Sequence, residues 1–545
     1  MGNKRIWTKV RGEGDNIIDK ILSARGITDK DFFLNGKISD MHDISLLKDG
    51  IKATEIIKKS IANNEKIILY SDYDTDGASG AAVAYMMLKE LGAKKVDYYT
   101  NNRFKQGYGM CKSGIDEILK KHPDTKLVIT IDNGIVAFES AEYLKALGIK
   151  LVITDHHEQG KELPTADAVV NPKRLDGDYP FDGICGAVVV WKVLRELYED
   201  KNEANKYLDI LAIATVGDVV PLLDENRIIV KEGLKLLRND NRLSLKILRE
   251  LTETTNTNSY TLGFIYSPIF NAISRLEGNI NPVIDFLTSE DEDFIKKIVS
   301  RLIKINEKRK KETKKQLEKA EKLLSNKGIK EVIVLYDESF AEGVVGLIAG
   351  RLKEKYNRPT FIFTKNQNGN LTGSARSIEG FDIKKSLDKC EDLLLKYGGH
   401  TLAGGLSLKA KNLNLLENKL IEIAKQTLTE KDYAKRFYYV DILKEDDITF
   451  DLVKALSQLE PYGAGFPKPL IRLKDFNVKR VFTMGQNKEH LKLIGEDMSI
   501  LAWRQSENYA KRGKPLTVTA LGYPEINIYK NNVNIQFVVN QDNFM

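Results

Sequence analysis

Three apolar, β-branched runs in the first third of the chain end in the same way, and this constrains the fold more than anything else in the sequence. Lys66-Ile67-Ile68-Leu69-Tyr70-Ser71 runs into Asp72-Tyr73-Asp74-Thr75-Asp76-Gly77. Leu127-Val128-Ile129-Thr130-Ile131 runs into Asp132-Asn133-Gly134, and Leu151-Val152-Ile153-Thr154 into Asp155-His156-His157. Runs of this length and composition are strands buried on both faces, as in a parallel sheet. Gly77, Ala78, Ser79 and Gly80 let the chain turn tightly into a helix over Ala81 to Leu88. Parallel strands bring their carboxyl ends to one edge of the sheet, where ligand sites of open α/β folds lie, so the three polar ends converge. A fourth feature, Thr215-Val216-Gly217-Asp218-Val219-Val220-Pro221, places an aspartate at the end of a helix-like run. Each of these alone reads equally as an acidic turn or a helix cap. Together they crowd carboxylates that repel one another and stay partly protonated unless cations neutralise them.

A site rich in carboxylate oxygens with one or two imidazoles suits Mn²⁺ or Mg²⁺ better than zinc. With this many acids, two ions sharing a bridging ligand are expected, an arrangement that activates water and stabilises the oxygens of an in-line phosphoryl displacement. No Ser-His-Asp or Cys-His arrangement competes: of six histidines, His42, His122 and His490 stand outside any motif. A GxxxxGK[ST] phosphate loop is absent, which argues against an ATP-driven enzyme.

The 545 residues allow three or four domains. No apolar run approaches the length of a membrane span. Met1 to Trp7 lacks a signal-peptide core, and Ile6 stands where a myristoylation signal wants Ser or Thr. Cys111, Cys185 and Cys390 are far apart without a CxxC pair, so neither structural zinc nor a disulfide framework is expected, and a cytoplasmic setting follows. The formal net charge of +7 is modest, and most of it sits between Arg301 and Lys322.

Residues 1–50 read as an N-terminal cap. From 51 to 288, strands at 66–70, 96–99, 127–131, 151–154 and 168–170 alternate with helices, which predicts a doubly wound parallel sheet. Residues 289–327 read as one long connecting helix. Its stretch 306–316 contains no apolar residue, the mark of a solvated bridge between domains or of a nucleic-acid contact. A second α/β pattern covers 328–430, and a β-rich region of short strands, a small barrel or sandwich, covers 431–545.

The four polar features in this order and spacing resemble the motifs of the DHH phosphoesterase superfamily. The resemblance spans roughly residues 50 to 545 and, within the superfamily, is strongest to the RecJ family of single-strand-specific 5′→3′ DNA exonucleases. It is carried by Arg103-Phe104-Lys105-Gln106-Gly107-Tyr108-Gly109, Asn271-Ala272-Ile273-Ser274-Arg275-Leu276 and Leu459-Glu460-Pro461-Tyr462-Gly463. Gly373-Ser374-Ala375-Arg376-Ser377 and Gly398-Gly399-His400-Thr401-Leu402-Ala403-Gly404-Gly405, two Gly-rich loops by composition, resemble the substrate motifs of the DHHA1 accessory domain. The resemblance implies that Asp74, Asp76, Asp132, His156 and Asp218 hold metal. It implies that Asp72 and Asp155 act beside them as ligands or orienters, and that His157 and Asp132 serve the chemistry. Arg103, Tyr108, Arg275, Ser374, Arg376, Gly399 and His400 are implied to bind the DNA end; arginine forks suit phosphate oxygens. It further implies an OB-like C-terminal barrel in which Phe476, Phe482, Tyr523 and Tyr529 either stack bases or fill the core. Two departures stand out: Ala341 replaces the usual family histidine before Gly343-Val344-Val345-Gly346, and Gln106 stands where Glu is common.

The function expected is metal-dependent hydrolysis of single-stranded DNA from its 5′ end to mononucleotides, in recombination and repair. The enzyme would be a monomer, with single-strand-binding protein and a RecQ-type helicase as the partners implied by the resemblance. The rival readings are a DHH/DHHA1 phosphodiesterase of short oligonucleotides or cyclic dinucleotides, and a non-catalytic single-strand-binding scaffold.

Overall fold

The computed structural model describes residues 5–366, 369–529 and 532–540. These residues form two compact units, each described by itself: those within 42–220 and 232–435, and those within 5–41, 221–231 and 436–540. No helix among the described residues is long and apolar enough to cross a membrane. The N-terminal strand β1 (Arg5–Lys9) belongs to the second unit.

The first unit is built on β2 (Lys66–Ser71), β3 (Val96–Thr100), β4 (Thr125–Ile131), β5 (Lys150–Thr154) and β6 (Ala168–Val170). They lie in the order β3-β2-β4-β5-β6 with every pair parallel. The central strands are buried almost throughout, which is why they read as continuous apolar runs, while edge strand β3 is half exposed. From β2 the chain crosses to β3 on one side and then returns to β4 on the other. This reversal opens a crevice at the carboxyl ends of β2 and β4, where Asp72 to Asp76 and Asp132 leave the sheet.

Helix α1 (Thr75–Glu90) starts in that crevice, with Asp74 as its cap accepting from the N–H groups of Asp76 (2.9 Å) and Gly77 (3.2 Å). Its small residues are a packing requirement. A Cβ on Gly77 would lie 2.5 Å from the Asp72 carbonyl, and one on Gly80 2.7 Å from Ile131 Cγ2. Helices α2 (Gly186–Arg195), α3 (Leu208–Gly217) and α4 (Ser267–Glu277) cover this face, and α5 (Glu292–Lys327) leads to the second α/β layer.

Helix α5 corrects one expectation. Within the stretch that has no apolar residue, Asn306 and Gln316 are buried. Gln316 Oε1 accepts the Ala341 N–H and its Nε2 donates to Glu312, while Asn306 Oδ1 accepts from Arg309 Nε. An amide whose hydrogen bonds are met can face protein, so polarity all round did not mean solvent all round.

The second layer holds β7 (Ile333–Tyr336), helix α6 (Val345–Tyr356), β8 (Thr360–Lys365), β9 (Leu371–Arg376), β10 (Leu394–His400) and β11 (Ala403–Leu408), in sheet order β10-β11-β9-β8-β7. The two Gly-rich segments, expected as loops, are adjacent antiparallel strands: Gly405 pairs with Ser374 and Gly398 with Gly405. Glycine serves here as a close-contact residue, since a Cβ on Gly373 would meet Phe363 at 2.4 Å.

In the second unit, β1 joins β12 (Lys435–Leu443), β13 (Leu470–Asn477), β14 (Arg480–Met484), β15 (His490–Ile494), β16 (Met498–Ala502), β17 (Thr517–Tyr529) and β18 (Asn532–Val539) in an eight-stranded mixed sheet. Its core takes Ile21, Leu22 and Phe33 from the N-terminal segment alongside Phe466, Ile471, Phe476 and Phe537. Residues 1–50 are therefore not a single cap: 5–41 complete this core, and 42–50 go with the first unit. Segment 221–231, expected in the first unit, contributes Arg227, which is 2% exposed. Its guanidinium donates to the carbonyls of Phe33, Leu459, Glu460 and Pro461 and lies 3.9 Å from the Phe33 ring centroid. Of the aromatics considered for base stacking, Phe476 and Tyr523 are buried, the latter bonded to Tyr462, and Phe482 is exposed. The Tyr529 side chain and residues 1–4 lie outside the described residues.

Candidate active site

The carboxyl ends of β2, β4 and β5 and the end of α3 bring Asp72, Asp74, Asp76, Asp132, His156, His157 and Asp218 together. Three overlapping groups of side chains could each hold an ion: Asp72 with Asp74 and Asp132, Asp76 with His156 and Asp218, and Asp132 with His156 and His157. Asp132 and His156 each occur in two of them. His156 Nε2 lies 3.1 Å from Asp132 Oδ1, 3.6 Å from Asp218 Oδ2 and 3.9 Å from Asp76 Oδ2.

The scaffold orients each group. Asp76 accepts the Gly186 and Ala187 N–H groups at the start of α2, at 2.7 and 3.0 Å. A Cβ on Gly186 would come 2.6 Å from Asp132 Cβ, so only glycine lets α2 approach this closely. Asp132 itself sits at φ 61°, a left-handed conformation that aspartate tolerates better than most residues. Asp155 belongs to none of the three groups. Its Oδ2 accepts the Ile135 N–H, and its Oδ1 accepts from the His156 and His157 backbones and from His157 Nδ1 at 2.8 Å. Through the bond to Nδ1 it fixes the orientation of the His157 ring. Asp218 caps the end of α3.

The electrostatics are those of a site short of positive charge. Burial, then repulsion by Asp74, pushes the Asp76 carboxyl up to about 6. Burial, then Asp76, Asp74 and Asp72, raises Asp132; burial and the same three raise Asp218, and burial and Asp74 raise Asp72. Burial and the neighbouring His157 hold the His156 imidazole down to about 3, so it stays neutral. Burial alone would lower His157, but the Asp155 hydrogen bond raises it, and against its own burial Asp155 is held low by that same bond. Asp72 Oδ1, Asp132 Oδ1 and His156 Nε2 are buried polar atoms with no hydrogen-bond partner. Oxygen and imidazole donors left unpaired in this way fit divalent cations.

Beside this cluster lies a group of guanidiniums. Burial, then repulsion by Arg103 and Arg309, pushes Arg275 down to about 9, and burial and Arg103 lower Arg376. Arg376 donates to Ser374 Oγ at 3.1 Å, and the Arg103 guanidinium stands 5.1 Å from the Tyr73 ring centroid. A Cβ on Gly346 would be 3.1 Å from Ser374 Oγ, so the start of α6 abuts the same group. His400 stacks toward His157 with centroids 6.3 Å apart. Tyr108 donates its hydroxyl to the Asp132 carbonyl at 3.2 Å and lies 3.1 Å from His157 Nδ1. Gly399 adjoins His400 at φ 146°, paired with Gly404. Ala341 offers no side-chain donor at the place of the family histidine; its N–H is taken by Gln316.

Family comparisons agree with this layout. Residues 66–215 match the DHH family, N-terminal domain, residues 328–426 the DHHA1 domain, and residues 441–541 the RecJ OB domain. The single-stranded-DNA-specific exonuclease RecJ of Bacillus subtilis is 35% identical over 88% of this chain and 61% of its own length, so the chain spans about three fifths of that relative. The protein of the same description from Salmonella typhimurium is 30% identical over 82% of this chain and 80% of its own. The chain belongs to the RecJ family. The crystal structure of Thermus thermophilus RecJ in complex with Mn²⁺ superposes on it with a TM-score of 0.84 at 26% identity, covering 98% of this chain and 79% of that one.

Two parts of the RecJ-like site escaped sequence reasoning. Asn271 Oδ1 accepts the Thr75 N–H at 2.9 Å, and Ser267 meets the Thr75 hydroxyl, so α4 ties down the turn between Asp74 and Asp76. Arg309 lay in a charge run read as a solvated bridge or a nucleic-acid contact and was not singled out; it donates to Asn306 and stands near Arg275.

Proposed function

We propose that this RecJ-family chain is a metal-dependent exonuclease that hydrolyses single-stranded DNA from the 5′ end, releasing mononucleotides. The observation that carries the reading is the juxtaposition of two opposite sites: carboxylates with unpaired buried donors, and a guanidinium cluster beside them. Asp74, Asp76, Asp132, His156 and Asp218, with Asp72, would hold Mn²⁺ or Mg²⁺, and the overlapping groups leave room for two ions. When bound, such ions supply the positive charge that turns a water into a nucleophile and neutralises phosphate oxygens. Arg103, Arg275, Arg376 and Ser374 hold the terminal phosphate through fork-like donors, fixing the strand end. His157, oriented by the Asp155 hydrogen bond, donates toward the phosphate being cut, and the His400 ring stands beside it. Tyr108 packs against His157 and closes the rim.

The same reading makes it a monomer of the cytoplasm, active in recombination and repair. Because the substrate is single-stranded, an activity that separates strands must supply it, which is the place for a helicase and a single-strand-binding protein. The test is incubation of the pure protein with Mn²⁺ and 5′-labelled single-stranded DNA, duplex DNA or a cyclic dinucleotide. Release of labelled mononucleotide from the single strand is the expected result; cleavage of the cyclic compound alone would refute the reading.

A further inference from the structure

Most large apolar side chains outside the site are buried, but Tyr260 and Phe264 are 63% and 69% exposed. Their rings stack on each other, with centroids 4.8 Å apart and planes 21° from parallel. The backbone beneath them is a π-helical turn, Leu262–Tyr266, of a kind often found at functional sites. It is held firmly. Asn258 caps the short helix Ser259–Thr261 that leads into it, accepting the Thr261 N–H; Thr261 donates to the Asn256 carbonyl; and Leu262 and Tyr266 are buried. Gly263 lies against Val216, to which an added Cβ would come within 3.2 Å, so the turn packs on the end of α3 that carries Asp218. Val219, just past Asp218, is also 70% exposed, at φ 64°.

The turn runs directly into α4. That helix contacts Thr75 between two candidate ligands through Asn271 and places Arg275 among the guanidiniums. At 1.5 Å per residue, Phe264 lies about 16 Å back along this run from Arg275, on the far side of the metal-site contact. A strand whose 5′ phosphate rests on the guanidiniums, and whose next phosphate meets the carboxylates, has its following bases at the height of this pair. An exposed, rigid, parallel aromatic pair offers open π-faces that any base can stack on.

We propose that Tyr260 and Phe264 form a stacking platform for the bases of the DNA strand 3′ of the phosphate being cut, an inference that rests on the exonuclease reading above. Neither residue touches the candidate ligands or the guanidinium cluster, so the platform acts on longer substrates alone. The test compares the parent protein with Tyr260→Leu/Phe264→Leu in Mn²⁺ on two substrates: a 5′-phosphorylated dinucleotide, too short to reach the turn, and a long oligothymidylate. KM for the oligothymidylate is expected to rise about tenfold or more, the scale of one lost base–aromatic stack, with the dinucleotide rate unchanged. Tyr260→Phe retains the parent KM. A 2-aminopurine at the third nucleotide should be quenched on binding to the parent protein and bright on the double variant. Equal effects on both substrates, or none on either, would overturn the platform alone. Absence of any DNA cleavage by the parent protein would sink the exonuclease reading and the platform with it.

Discussion

Replacing Asp132 by Asn should act in opposite directions with and without metal. Asn keeps the shape and tolerates the left-handed backbone at φ 61°, so the change removes little but charge. In metal-free protein that charge is a burden. Its neighbour Asp76 is already pushed from 3.8 to about 6, a shift worth about 3 kcal/mol at pH 8, where both forms are ionised. Asp132 is raised by burial and four carboxylates, so neutralising it should likewise relieve a cost in the metal-free protein. With Mn²⁺ the sign reverses. The parent protein gains about 2.7 kcal/mol at a hundredfold excess of ion over Kd, and the variant, missing the carboxylate shared by two ligand groups, does not. Thermal denaturation at pH 8 in chelator and in Mn²⁺ reads both arms. The Asn variant should melt a few degrees above the parent in chelator and below it in Mn²⁺, with nuclease activity lost. A variant that melts lower in chelator would refute the reasoning, because the carboxylate would then be satisfied without a cation.

Other outcomes follow from the same structure. Gly186→Ala puts a Cβ 2.6 Å from Asp132 Cβ, so it should abolish Mn²⁺-induced stabilisation and activity while DNA binding persists in a gel-shift assay. Arg227→Met leaves four carbonyls in the second unit without their donor and should cost about 1–3 kcal/mol for each that stays unsatisfied, seen as a lowered urea midpoint; an unchanged midpoint counts against the assignment. Burial opposes it, but Lys20 and Lys9 lower Asp441 to about 2. A depressed carboxylate stabilises above its unfolded value and loses that contribution as pH falls from about 4 to 2. Asp441→Asn should therefore cost about 1 kcal/mol at pH 7, after allowance for solvent screening, and nothing at pH 2, as measured by denaturant melts.

The candidate ligands were legible because a parallel strand buried on both faces advertises itself as an unbroken apolar run, and what interrupts it is the site. Asp72, Asp132 and His156 were found in that way. What supports them was not legible. Asn271 reaches Thr75 across 196 positions, and no local pattern marks an amide that will cap another helix. The Gly-rich strands β9, β10 and β11 read as loops because glycine there answers to contacts such as that with Phe363, not to backbone freedom. Residues 5–41 read as a separate cap because their partners, Phe466 and Ile471, lie more than four hundred residues away.

Helix α4 has a last consequence. Asn271 anchors the turn that carries Asp74 and Asp76, and Arg275 stands one helical turn further on, about 6 Å along the axis. Whatever grips a strand end at Arg275 is thereby held at a distance from the carboxylates that no loop motion can stretch. On the exonuclease reading, the length of the piece removed at each cut would follow from that spacing along the helix.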